Sequence, residues 1–179
     1  LVELGIPFDV WLKEEVEENF SPELTKENVA IHLAEIKARP YQADLKSDHI
    51  LITADTIVCR DEHILGKPND YEEAYAMIKS LSGREHSVIT GVCLSNATTN
   101  VVFAVDTKVH FSEIDHEEIK YYLNSFKPYD KAGSYGIQEW IGLIAVESIN
   151  GSYFNVMGLP IQRLYQELKR FTNYNTSSN

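Results

Sequence analysis

Apolar positions along this chain repeat with two different periods, and the alternation between them predicts an α/β protein. Between Thr25 and Arg39, Val29, Leu33 and Ile36 recur at helical spacing and Pro40 ends the run, which places Lys37 near the last turn of a helix. Asp70 and Glu73 have capping-box spacing and open a second helix whose Ala74, Met77, Ile78 and Leu81 share a face, with Gly83 as its stop. Asp115 and Glu118 repeat that spacing ahead of Ile119, Tyr122 and Leu123. Gly158-Leu159-Pro160 leads into a last helix, with Pro160 at its first position and Ile161, Leu164, Tyr165, Leu168 and Phe171 as its buried stripe.

Strand signals fill the intervals. Phe8 to Leu12 reads as a strand, and the acidic run Glu14-Glu15-Val16-Glu17-Glu18 follows it. Ile50-Leu51-Ile52 and Thr56-Ile57-Val58-Cys59 are rich in branched residues and are interrupted by Ala54-Asp55. Ser87 to Leu94 and Asn100 to Phe111 form two long strands joined by a polar turn, with Val101, Phe103, Val105, Thr107, Val109 and Phe111 on one face, so an antiparallel hairpin is expected. Further strands are expected at Gly142 to Ile149 and around Tyr153 to Val156. At the start, Leu1 and Leu4 resemble the end of a helix stopped by Gly5; at the other end, Thr172 to Asn179 is a polar stretch with nothing to bury, expected to be disordered.

The chain has 179 residues, enough for one substantial core, and no apolar run approaches the length needed to cross a bilayer, so a protein with no membrane partner is expected. Its formal net charge of -11 argues against nucleic acid as a partner, because that association needs a basic footprint. A phosphorylated small molecule remains compatible, since it needs only a local group of Lys, Arg and backbone N–H. Cys59 and Cys93 lie in apolar stretches without C-x-x-C spacing and read as reduced core residues.

Asp55 is the first anomaly, because a carboxylate flanked by apolar strands needs a partner, although an Asp capping a strand end would look the same. Lys67, in Gly66-Lys67-Pro68, is either a presented ammonium or a solvated loop residue, and His86 is either structural or a base or ligand. The loop from Pro128 to Gln138 holds small residues among charged and amide side chains and can approach a ligand closely. Signatures of a P-loop, a dinucleotide fold, a serine hydrolase and a zincin are absent. The remaining candidates are acidic Glu18, Asp55 and Asp130, basic Lys37, Lys67 and Lys131, and the amide of Gln138; carboxylates with lysines suit metal-assisted hydrolysis of a phosphoanhydride. Spacing alone does not say that these groups meet.

Five segments occur in the order and approximate spacing of the Maf family: Ala54-Asp55-Thr56-Ile57-Val58, Gly66-Lys67-Pro68, Leu81 to Val92, Asp130 to Gln138, and Asn155-Val156-Met157-Gly158-Leu159-Pro160. The chain resembles that family from Leu4 to about Leu168. The resemblance implies a Maf/ITPase-like α/β fold with a strongly twisted mixed β-sheet flanked by helices, two lobes and a central cleft, as a single domain over residues 1–171. It implies hydrolysis of a nucleoside triphosphate between its α and β phosphates with a divalent cation, Mg²⁺ or Mn²⁺, in the cytoplasm; a homodimer is compatible with it. Asp55 matches the proton acceptor, Lys67 a phosphate-binding lysine, and Glu18 and Lys37 active-site charges, with Asp55 and Glu18 toward the metal. Thr56 and Gln138 resemble the subgroup acting on dTTP and UTP, and Lys131 joins them on the substrate side.

The family's historical link to septum formation leaves a second reading, a nucleotide-binding regulator of cell division without turnover, and modified pyrimidine nucleotides are a third. Three departures accompany the resemblance. The family opens with a strand and a Ser-x-Ser-Pro-Arg-Arg loop that grips the substrate, and this chain begins after that point, so an N-terminally truncated chain with lowered stability and affinity is expected. Lys127 stands where an acidic residue is usual, and Glu139 follows Gln138 where a Gly is usual.

Overall fold

A computed structural model of the chain describes residues 1–13, 16–46 and 48–176. Part of the acidic run, Glu14 and Glu15, lies outside the described residues, as do residues 177–179 of the expected tail. Helix α1 (Lys26–Ala38) begins where the Thr25 hydroxyl accepts from the Asn28 N–H, and it carries Lys37 in its last turn, where the helix dipole favours a cation. Strand β1 (Leu51–Arg60) follows, then the short strand β2 (His63–Leu65) and helix α2 (Tyr71–Leu81), capped by Asp70. Glu73 reaches back to the N–H of Asn69 rather than to that of Asp70, so this cap is half of the box that the spacing suggested. Strands β3 (Glu85–Ser95) and β4 (Asn100–Phe111) form the expected hairpin, and the side chain of Asn96 accepts from the Thr98 and Thr99 N–H groups in its turn. Helix α3 (His116–Phe126) has the complete Asp115/Glu118 capping box.

The later elements depart from expectation. Gly142 to Ile149, read as one strand, is divided between helix α4 (Trp140–Ala145) and strand β5 (Val146–Asn150). Tyr153–Val156 is a helical turn, α5, because the Ser152 hydroxyl accepts from the Asn155 N–H and starts it. Helix α6 (Ile161–Thr176) starts one residue after Pro160, whose carbonyl accepts from Leu164, and it continues through most of the stretch expected to be disordered. Phe8 to Leu12 forms no strand: Val10 and Leu12 are exposed and the segment pairs with no strand among the described residues. The turn at Val2–Leu4 does end at Gly5 in the left-handed region, as its sequence suggested.

The five strands make one sheet in the order β2-β1-β3-β4-β5, and every pairing is antiparallel. The fold is α/β with helices on both faces of the sheet, as expected; the mixed sheet is corrected to an antiparallel one among the described residues, because each neighbouring pair runs in opposite directions. Among the described residues, helix α1 alone covers one face, over Ile57, Cys59 and Ile89 at one end and Leu51 and Cys93 at the other. The opposite face carries two apolar clusters. One packs Val58, Val88, Val109 and Phe111 under α2, α3 and α4, and the other packs Val92, Leu94 and Phe103 under α6. Cys59 and Cys93 are free and buried, as read from the sequence. No helix among the described residues is long and apolar enough to cross a membrane.

Gly91 sets the depth of α1. A Cβ built on Gly91 would stand 2.1 Å from the carbonyl oxygen of Ala30, so the helix backbone rests directly on the β3 backbone. A rotamer change cannot relieve a clash with main chain. Gly91→Ala is therefore expected to lower stability by about 3 kcal/mol or more, the upper range for an overpacked core. Denaturant unfolding measures this, and a loss below about 1 kcal/mol would show that α1 is not seated so closely.

Candidate active site

Strand β2 pairs only with Val58, Cys59 and Arg60, so on that side the edge of β1 from Leu51 to Ile57 has no strand partner among the described residues. A cavity of about 580 Å³ lies along this edge. Consecutive strand residues point to opposite faces, yet both Asp55 and Thr56 line the cavity, because it wraps the edge and is open to both faces of the sheet. All seven site residues expected from the sequence line it: Glu18, Lys37, Asp55, Thr56, Lys67, Lys131 and Gln138. Asp130 is there as well.

On the α1 side, Lys37 donates to Asp55 and stands 3.0 Å from Glu18. The Asp55 side chain is only 13 % exposed, which makes burial the dominant influence on its charge. Burial raises its pKa above the ordinary carboxylate value, and Glu18 adds to this; the Lys37 and Lys67 ammoniums oppose the rise without cancelling it. For Lys37, burial works against the ammonium, but the hydrogen bonds and charges of Asp55 and Glu18 outweigh it and the pKa is raised. The triad is thus a buried carboxylate that holds a proton more readily than usual, beside a lysine that stays charged.

The opposite wall comes from the loop between α3 and α4. The Gly133 N–H donates to the Gly66 carbonyl at 3.0 Å, tying the Lys67 loop to the Lys131 loop. Gly133 has φ 67°, and a Cβ there would meet Val58 at 3.0 Å, so glycine is required both for the turn and for the close approach. Lys131 is held between Asp130 at 2.9 Å and Glu139 at 3.3 Å. The hydrogen bond from Lys131 holds the Asp130 carboxyl below its ordinary range. Tyr122 donates to Glu139 and accepts from the Gly136 N–H at 3.1 Å; burial, with Glu139 beside it, pushes its phenol well above the ordinary value, so the donor stays protonated.

Glu139 and Tyr122 were not foreseen as parts of this wall. Tyr122 reads as one more residue of an apolar helical stripe, and the only signal for Glu139 was its standing where the family usually has glycine. His86 falls on the structural side. It is buried, its Nε2 lies 2.7 Å from the Tyr135 hydroxyl, and burial lowers its pKa to about 4, so it stays neutral in the core.

A family model described as Maf-like protein matches residues 1–171. The chain belongs to the Maf family. Among curated relatives, a protein of Parabacteroides distasonis named dTTP/UTP pyrophosphatase is 50 % identical over 168 residues, covering 94 % of this chain and 87 % of its own length. Proteins of the same name from Christiangramia forsetii and Porphyromonas gingivalis are 48 % and 47 % identical, each over 96 % of this chain and 87 % of their own length. In this Maf chain the five motif segments converge: the Asp55 strand, the Lys67 loop, the 130–138 loop and Val156 to Gly158 all contribute to the cavity wall, and the 81–92 segment adds Val88.

Removing the Tyr122 hydroxyl should leave a buried Gly136 N–H without its acceptor and leave Glu139 to Lys131 alone. Tyr122→Phe is expected to cost about 1–3 kcal/mol and to speed amide exchange at Gly136. Unchanged exchange at Gly136 would mean that the phenol does not hold this loop.

Proposed function

We propose that this chain is a nucleoside triphosphate pyrophosphatase acting on dTTP and UTP, and on modified pyrimidine nucleotides. The observation that carries the reading is the Asp55–Lys37–Glu18 group in one cavity with Lys67 and Lys131. The names of the relatives, at 47–50 % identity, support the substrate. In this mechanism Asp55 accepts a proton from a water that attacks the α phosphorus, the α–β bridging bond breaks, and pyrophosphate leaves with the bond's electron pair. A base with a raised pKa suits the task, because proton acceptance improves as the base's pKa approaches the working pH. Lys37 keeps Asp55 ionised despite its burial, and Lys67 and Lys131 balance charge developing on the phosphates. Cytoplasmic location belongs to the same reading.

A divalent cation, Mg²⁺ or Mn²⁺, also belongs to it, and the donor set fits. Asp55 and Glu18 would hold the ion; no group of three Asp, Glu, His or Cys ligands gathers among the described residues, as expected for an ion bound by one or two carboxylates together with substrate phosphates. Three lysines and three carboxylates line the cavity, so its own charges balance and leave the charge of a triphosphate uncompensated. When bound, the cation would supply that compensation and polarise the phosphoryl oxygens.

Asp55→Asn should fold and bind nucleotide but release pyrophosphate from dTTP and UTP at least about 100-fold more slowly. Full activity would remove Asp55 from the mechanism, and tight nucleotide binding by the unaltered chain without pyrophosphate release would favour a regulator instead. Protonation of Asp55 tests the same residue. In EDTA and without nucleotide, its carboxyl, followed by NMR, should take up a proton at a pH above the ordinary carboxylate value of 3.8. Lys37→Met removes the cation that opposes the rise, so this titration should move further up; a titration that stays in place would show that Lys37 does not act on the Asp55 charge.

A further inference from the structure

The charge that Lys131 brings to the cavity is already engaged. Its ammonium lies 2.9 and 3.1 Å from the two carboxylate oxygens of Asp130 and 3.3 Å from Glu139 Oε1. Burial works against this ammonium, but the two carboxylates outweigh it and its pKa is raised. The two partners differ in kind. Asp130 lines the cavity with a side chain that is 74 % exposed, so water screens its charge. Glu139 is not among the residues that line the cavity, and its side chain is only 19 % exposed. It is also fixed in place. The buried Tyr122 phenol donates to its Oε2 and accepts from the Gly136 N–H at 3.1 Å, while the Glu139 N–H donates to the Gly136 carbonyl at 3.0 Å. Gly136 leaves the room for this packing, since a Cβ there would stand 3.0 Å from Glu139 Cδ and 3.2 Å from Lys131 Cε.

The three lysines and three carboxylates that line the cavity balance, so Glu139, a fourth carboxylate behind the wall, tips the site negative. A buried charge is weakly screened, and this one repels whatever anion comes to Lys131. The repulsion is largest for the ligand with the most charge in the smallest volume, which in the proposed reaction is the departing pyrophosphate. Holding the ammonium in place does not require Glu139, because Asp130 has both oxygens within reach of it. We propose that Glu139, acting through Lys131, weakens the hold of the cavity on inorganic pyrophosphate and so favours release of that product. This inference rests on the pyrophosphatase reading above and deepens it, since it names a residue outside the cavity that regulates the product step.

Calorimetry in EDTA at fixed ionic strength measures the binding of inorganic pyrophosphate, and UMP formation from UTP with Mg²⁺ measures turnover and its inhibition by added pyrophosphate. Glu139→Gln keeps an acceptor for Tyr122 and removes the charge. It should bind pyrophosphate about tenfold more tightly, within the range of coupling between residues in contact, and be inhibited at correspondingly lower pyrophosphate. A residue that only propped the loop would weaken binding when altered. Lys131→Met should bind pyrophosphate less well, and adding Glu139→Gln to it should gain only about twofold, because the two residues act as a pair. Equal or weaker binding by folded Glu139→Gln overturns the proposal, as does a full tenfold gain without Lys131 or a failure of pyrophosphate to bind any of the proteins. Glu139→Ala is read in the same way if the glutamine variant does not fold. A gain in Glu139→Gln that depends on Lys131, with no UMP formed by any protein, supports the action of Glu139 on the anion and overturns the pyrophosphatase reading instead.

Discussion

The contact between Ala30 and Gly91 is made by main chain on both sides, and the geometry of the charged site follows from it. With no side chain between helix and sheet, α1 lies low enough for Lys37, two turns beyond Ala30, to reach a carboxylate on β1. Asp55 pairs in register with Gly91, so the strand position that lacks a side chain sits directly beside the one that carries the buried acid. Thr53, one position back on the same face, donates to the Ala34 carbonyl at 2.7 Å and adds a polar tie between strand and helix. A helix lifted by one methyl group would meet β1 through longer side chains, and the ammonium would lose its carboxylate.

The face opposite α1 works on a different principle. Its two apolar clusters are separated by a polar seam in which Thr56, Thr90 and Thr107 project from three adjacent strands and Asn155 closes over them. Buried hydroxyls interrupt a core at a cost that only full hydrogen bonding offsets, and here the short turn of α5 brings the amide that supplies most of it. The cavity thus has two chemically distinct sides across one strand edge, ionic toward α1 and oriented-neutral toward α5. A ligand with a charged end and a heterocyclic end matches that division.

The parts of this arrangement that were legible in the sequence are those built from local repetition. The spans of α1, α2 and α3 and the β3–β4 hairpin follow from spacing and caps, since each is at least three turns or ten residues long and buries a regular stripe. Short elements defeated the same reasoning. Helix α4 has six residues and α5 four, too few for a period to declare itself, and their branched and aromatic residues resemble strands. Phe8 to Leu12 has strand composition but pairs with no strand among the described residues, so propensity alone did not decide it. For the site, Asp55 was visible as an acid in an apolar context, but its meeting with Lys37 and Glu18 depends on tertiary packing and entered through the family resemblance. Tyr122, Glu139, Thr90 and Asn155 carried no such mark, because their importance lies in hydrogen bonds between residues 14 to 67 positions apart.

The two cysteines acquire a use from where they lie. Cys59 and Cys93 belong to the clusters that α1 covers, one near each end of the helix, and burial raises both thiols, that of Cys59 to about 11. A thiolate is the reactive form, so while α1 is seated neither sulfur offers much to an alkylating reagent. Because both thiols sit beneath the helix that holds Lys37 against Asp55, their labelling rate is a clock for that helix leaving the sheet. The intactness of the charged half of the site can therefore be followed chemically, in the absence of any substrate.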